Sequence, residues 1–218
     1  MTSLTSVRIA SCLAFMALGA GGLAAPAPAA AGTAEPGSAL ALGAKLPAAT
    51  TKMKNVDGKM VSIADVKGKA GTLVIFTCNH CPFAKAWEER IVELGNGYVK
   101  RGLGVILVNA NDPTSHEDDG FTQMQERAKS RGMQIPYVVD ETSGVARAFG
   151  ATVTPEAFLF GADGKLVYHG TIDDNREDPT KVGKHYLRDA LDAVMAGKPP
   201  APAETKSLGC GIKFRQQS

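Results

Sequence analysis

Cysteine is scarce in this chain. Its 218 residues carry four, which excludes a small domain stapled by many structural disulfides. An excess of one charge is missing too. Lys+Arg 24 against Asp+Glu 22 leaves a formal net charge of +2, too little to argue for nucleic acid or an anionic membrane as partner. There is no internal repeat, no G-x-G-x-x-G, no P-loop and no H-E-x-x-H. Dinucleotide, nucleotide-phosphate and zinc-protease chemistry therefore have no motif to rest on. The one long apolar run near the start, Ile9 to Leu23, is shorter than the roughly 20 residues a membrane span needs.

Those first residues read as a secretory signal. Arg8 gives a positive n-region, and the Ala/Pro-rich stretch that follows ends in Ala29-Ala30-Ala31, a small-x-small cleavage pattern. Ile9-Ala10-Ser11-Cys12 is a poor lipoprotein signal, because Cys12 precedes most of the apolar run. The expectation is an exported protein, periplasmic or extracellular, with no stable membrane insertion after cleavage. Residues 1–31 are the signal peptide and 32–42 a flexible mature N-terminus. Residues 43–197 are the domain, and 198–218 a Pro-rich tail carrying Cys210. Cleavage removes Cys12 and leaves Cys78, Cys81 and Cys210. Three thiols suit chemistry better than stapling.

What is present is a sequence of strand and helix signals. Asp57-Gly58 joins the extended stretches Thr50–Lys54 and Met60–Ile63 as a hairpin. Leu73–Thr77 and Leu103–Asn109 are continuous apolar runs of the kind buried on both sheet faces. Between them Phe83, Trp87, Ile91 and Leu94 recur at helical spacing after Pro82, and Gly102 stops that helix. Helices follow over Phe121–Ser130, Gly144–Phe149 and Tyr186–Ala196. Tyr137–Asp140 is a short strand, and Asp163-Gly164 turns Ala157–Phe160 into Lys165–His169. The order is α/β, with a mixed central sheet and helices on both faces. Phe76, Phe83, Trp87, Met124 and Met133 read as core packing. Pro199, Pro200 and Pro202 make the tail extended.

The chemistry-bearing motif is Cys78-Asn79-His80-Cys81, set between the first apolar strand and a Pro-started helix. Thiols at a helix N-terminus face unpaired N–H groups and the positive end of the macrodipole, which favours the thiolate. His80 can donate to the Cys78 thiolate or, protonated, stabilise it by charge, favouring the reduced form. The placement is shared with DsbA-type oxidases. Cys210, flanked by Gly209 and Gly211, is readable two ways: a third redox thiol or metal ligand folded back, or a free surface thiol open to intermolecular pairing. His116, in the acidic loop Glu117-Asp118-Asp119, reads as solvated, and His169 and His185 carry no assigned role.

This element order and motif position resemble the thioredoxin fold, over about Gly43 to Ala196. The N-terminal hairpin and the insertion around Asn111–Arg131 resemble its peroxiredoxin-like or TlpA-like branch. F-T-C-N-H-C-P-F with V-T-P-E-A-F-L-F and G-C-G-I-K-F resembles an AhpC/TSA-like bacterial redoxin group. The resemblance implies that Cys78 is the exposed nucleophile with a depressed pKa and Cys81 the more buried resolving thiol. It implies a cis peptide at Thr154-Pro155 beside the dithiol, with Thr154 offering backbone hydrogen bonds to substrate. Glu156 is either a proton acceptor for Cys81 or a solvated strand residue. The function that follows is an exported thiol–disulfide oxidoreductase. Its partners are thiol or disulfide proteins or small thiols, and it needs no cofactor beyond its redox-active disulfide.

Two other functions fit parts of the pattern. A thiol peroxidase of peroxiredoxin type needs Pro seven residues and Thr or Ser three residues before its reactive cysteine. For Cys81 those places hold Val74 and Cys78, so the hydroxyl is missing. A copper-binding metallochaperone could hold Cu(I) with Cys78, Cys81 and His80, aided by Cys210 or His169. Sco-type carriers, however, space their cysteines by three residues rather than two.

Overall fold

Alternation along three buried strands decides where everything else packs. In β3 (Gly71–Phe76), β4 (Gly104–Asn109) and β7 (Glu156–Gly161) nearly every residue is buried. Because successive side chains point to opposite faces, Leu73, Ile75, Val105, Leu107 and Leu159 join one core. Val74, Phe76, Ile106, Val108 and Phe158 join the other. The first core is completed by α1 (Pro82–Lys100) and α4 (Tyr186–Met195), through Trp87, Ile91, Leu187 and Leu191. The second is completed by α3 (Gly144–Phe149), where Phe149 meets Phe76 edge-on at 5.2 Å.

The computed structural model describes residues 40–216. The expected signal peptide and most of the expected flexible N-terminus lie outside the described residues. Leu40 is buried and donates its amide to the Phe149 carbonyl, so the segment is docked by that point. With β1 (Met53–Asn55), β2 (Met60–Val61), β5 (Tyr137–Val139) and β8 (Leu166–Gly170), the main sheet has seven strands. Its order is β2-β1-β5-β4-β3-β7-β8. The pairs β3–β4 and β4–β5 are parallel, while β7 and β8 return antiparallel. This is the expected mixed sheet with helices on both faces. The helix α2 (Phe121–Ser130) lies within the insertion and packs Met124 and Ala128 into the first core. Among the described residues no helix is long and apolar enough to cross a membrane.

α1 begins at Cys81, the N-cap residue in extended conformation, with Pro82 in the first turn. It ends where Gly102 takes φ +93°, a conformation L residues avoid, and Leu103 donates back to the Tyr98 carbonyl. Helix start and motif are therefore the same piece of chain.

The Pro-rich tail is extended, as expected, but it is also fastened down along its length. Ala203 and Thr205 exchange backbone hydrogen bonds with His169, at 3.1 and 3.0 Å. Thr205 Oγ1 accepts from the Thr171 amide and lies 2.9 Å from the Tyr168 hydroxyl. β9 (Cys210–Gly211) pairs antiparallel with β6 (Val153–Thr154), placing Cys210 opposite Thr154. Further on, Ile212 donates to the Thr152 carbonyl, and the Lys213 amide donates to Asn111 Oδ1. A proline lacks only its own N–H, so its neighbours remain free to pair. The segment is a strap across the motif end of the sheet.

Candidate active site

The strap, α1 and the β6–β7 corner bring three thiols together. Cys78, Cys81 and Ala84 form one buried cluster, with Phe83 and Cys210 packed against it. Thr154 serves both motif sulfurs. Its Oγ1 lies 3.1 Å from Cys78 Sγ, and its carbonyl accepts from Cys81 Sγ at 3.1 Å. The Thr154–Pro155 peptide is cis, as the resemblance implies. Cys78, Cys81, Thr154 and Pro155 therefore converge.

Cys81 is the more deeply buried of the two thiols, as expected, but Cys78 is buried as well rather than exposed. Cys78 is only 4% exposed and Cys81 0%. The Cys78 thiol is pushed up, first by the adjacent Cys81 thiol, then by burial and the Asp119 charge. The Cys81 thiol is held well below the ordinary thiol value. Its largest cause is the Cys78 thiol, which overcomes burial, helped by the Cys210 thiol and the Ala84 and Cys210 amides. Cys81, not Cys78, is the N-cap residue of α1, although its side chain makes no capping hydrogen bond. Cys210 is pushed up to about 11, by burial and then by the adjacent Cys81. It is the half-exposed one of the three.

His80 does not aim its Nδ1 at a sulfur. That atom sits 2.6 Å from Asp119 Oδ2, and the ring stacks on His116 at 3.8 Å. His116 is exposed, as expected, and stacks on His80 from the solvent side of the loop. Asp119 is the residue that sequence reasoning missed. It is buried at 2% exposure, although it sits in the acidic loop. Its Oδ1 accepts from the Asn79 amide at 2.7 Å and the His80 amide at 3.3 Å, and its Oδ2 accepts from Asn111 Nδ2 at 2.9 Å. Asn79 is held further by donating to the Asp118 carbonyl and accepting from the Tyr137 hydroxyl. The insertion thereby clamps the backbone of the motif.

Cys78, His80 and Asp119 each offer a ligand atom within 4.8 Å of the others. This set has one sulfur, whereas the copper reading rests on Cys78, Cys81 and His80, and the His80 Nδ1 is turned to Asp119 Oδ2. Soft Cu(I) selects thiolates.

Glu156 is neither solvated nor bonded to Cys81. Buried, it accepts from the Thr152 and Val153 amides and pairs with His169 Nε2 at 2.7 Å. A signal for this existed: the Asp163-Gly164 hairpin sets Phe158 opposite His169, so Glu156 falls nearby on the same face. On its other side His169 Nδ1 lies 3.5 Å from Glu204 in the strap. Burial pushes the His169 pKa down, but the Glu156 and Glu204 carboxylates outweigh it, and the net shift is upward. With a folded-state pKa above the unfolded value, the protonated ring's stabilisation is complete below about pH 6.5. It is lost as pH rises through the folded pKa. Strap docking should therefore loosen as pH rises above about 6.5, and His169→Gln should flatten that dependence. Alkylation of buried Cys81, corrected for reagent chemistry with a free thiol, reads it. A profile identical in wild type and variant would reject the assignment.

Comparison with known proteins places this geometry. An uncharacterised conserved protein from Geobacillus kaustophilus superposes with a TM-score of 0.76 at 37% identity, covering 82% of this chain and 94% of that one. A putative thioredoxin from Neisseria meningitidis, at 24% identity and TM-score 0.53, covers 70% of this chain and 91% of its own, and shares the fold. The thiol-disulfide oxidoreductase ResA of Halalkalibacterium halodurans is 24% identical over 115 residues, 53% of this chain. The matched stretch spans 61% of that relative's length. The Redoxin family model matches residues 41–185, from the docked N-terminal segment through the sheet to the start of α4. That span contains the motif strand, the capped helix and the cis-proline corner, and by it the chain belongs to the Redoxin family.

Proposed function

We propose that the protein is an exported thiol–disulfide oxidoreductase that cycles Cys78 and Cys81 between dithiol and disulfide. The observation that carries this is the convergence of the two sulfurs on Thr154, Cys78 Sγ 3.1 Å from its Oγ1 and Cys81 Sγ 3.1 Å from its carbonyl oxygen. A thiolate is the form that attacks disulfides, and a low thiol pKa also makes a good leaving group. Cys81 thus carries the charge and Cys78 supplies the proton and closes the pair. Thr154 and Pro155 shape the floor on which the sulfurs lie, and His80 holds the motif through Asp119. Thiol or disulfide proteins and small thiols are the partners, and the dithiol is the only redox group required. The curated relatives matched over part of their length support this activity by their name. Export rests on Arg8, the apolar run and Ala29-Ala30-Ala31. N-terminal sequencing of protein recovered outside the cytoplasm tests it.

Redox titration of the full chain against glutathione, with disulfide mapping by mass spectrometry, tests the activity. The expected result is a two-electron Cys78–Cys81 couple. Thiolate stabilisation favours the reduced form, so the midpoint should lie above the roughly −270 mV of thioredoxin. Absence of a reversible Cys78–Cys81 couple would sink the reading.

One observation favours peroxidase activity as a second reading. The Cys78 thiol occupies the place three residues before Cys81 where the missing hydroxyl would stand, in one buried cluster with it. Consumption of hydrogen peroxide with a sulfenic acid trapped at Cys81 would support it, and inertness of Cys81 toward peroxide would remove it.

A further inference from the structure

Thiol–disulfide exchange needs access to a sulfur, and here the two motif sulfurs have almost none. Gly209 and β9 lie over Thr154 so closely that a Cβ at residue 209 would sit 2.1 Å from the Thr154 carbonyl oxygen. The strap that closes the site carries the half-exposed thiol itself, Cys210, paired opposite Thr154 and packed on the dithiol cluster. This is a cluster of three thiols, two buried and one half-exposed, not an isolated cysteine.

We infer that Cys210 is a third catalytic thiol, which carries the disulfide from the buried Cys78–Cys81 pair to the surface, where a reducing dithiol takes it. The inference rests on the oxidoreductase reading above. In the oxidised chain Cys210 loses its proton and attacks Cys81 Sγ. The Cys78–Cys81 bond breaks, a Cys81–Cys210 bond forms, and Cys78 leaves as a thiolate that takes up the proton. An external dithiol then attacks Cys210 Sγ, and Cys81 leaves as a thiolate. The second thiol of the reductant releases Cys210 and completes a disulfide in the reductant. Two electrons and two protons pass to the protein, and the reductant dithiol is oxidised. Cys81 joins both internal disulfides. Its stabilised thiolate makes it the favourable leaving sulfur in the second step. Cys210 is a poor nucleophile while Cys81 is a neighbouring thiolate, and it is relieved of that charge once Cys81 is in a disulfide. The relay therefore runs in the oxidised state and rests in the reduced one.

The test uses three full-length proteins: wild type, Cys210→Ser and Cys78→Ser. Each is oxidised with diamide, mapped by mass spectrometry and reduced with dithiothreitol. Cys78→Ser should form an intramolecular Cys81–Cys210 disulfide. Cys210→Ser should still form Cys78–Cys81 but be reduced about tenfold or more slowly than wild type, because its disulfide has no surface thiol to pass through. Reduction of Cys210→Ser at the wild-type rate would overturn the relay, as would Cys78→Ser with no Cys81–Cys210 bond. Either result leaves the Cys78–Cys81 couple standing. Loss of that couple from wild type would instead fell the underlying reading. If Cys210→Ser does not fold, the disulfide map of Cys78→Ser decides alone.

Discussion

Cys81→Ser should abolish disulfide exchange, with a loss of about a thousandfold or more, of the size seen when a nucleophile is removed from a site that acts as a unit. It should also cost more than Cys78→Ser. Both internal disulfides contain Cys81, so its removal leaves Cys78 and Cys210 with no sulfur between them. Cys78→Ser keeps a hydroxyl beside Cys81 and keeps Cys210 on the other side. That variant should retain a slow Cys81–Cys210 cycle. The measurement is turnover of a disulfide substrate under excess reductant, paired with the pH dependence of thiolate absorbance. In wild type the absorbance step at low pH belongs to Cys81 and vanishes in Cys81→Ser. Equal losses in the two variants, or a low-pH step that survives in Cys81→Ser, would return the nucleophile to Cys78.

The second large effect falls on stability. Asp119→Ala strands the amides of Asn79 and His80, the His80 ring and the Asn111 side chain at once. Each buried donor left without a partner costs about 1–3 kcal/mol. Some recover partial partners, and the expected loss is about 3–5 kcal/mol, read as a lower urea midpoint with an unchanged slope. Asp119→Asn keeps an acceptor for the two amides and should lose less than half as much. It also removes one of the charges that hold the Cys78 thiol up, so Cys78 should alkylate at lower pH in that variant. A midpoint for Asp119→Ala within about 0.5 kcal/mol of wild type would mean the clamp is not structural.

Most elements were legible because their signals are local. The apolar runs at β3 and β4 admit burial on both faces, and Pro82 directly after the motif starts α1 where Cys81 ends the extended chain. Phe121–Ser130 and Gly144–Phe149 fall on their expected bounds. Thr154-Pro155 was placed by resemblance, and the contacts with both sulfurs follow from it. Asp119 left no such trace. It sits among other acids, and only the return of the insertion over the motif, forty residues away, buries it. The exposure of Cys78 was misjudged for a related reason. The strap that covers the site pairs through two-residue strands and single bridges, which have no periodicity to read. The resemblance implies that the first cysteine stands at the helix end. Pro82 puts that end at the second.

The two-residue β6–β9 ladder has a kinetic consequence. So short a ladder opens at a free energy below that of global unfolding. Labelling of Cys81 should then follow exchange kinetics of the kind used for amide hydrogens. At low reagent concentration the rate equals the opening equilibrium constant times the intrinsic alkylation rate. At high concentration it saturates at the rate at which the ladder parts. The plateau would give the closed state's lifetime from a single chemical label, and subdenaturing urea should raise the initial slope well before the sheet melts.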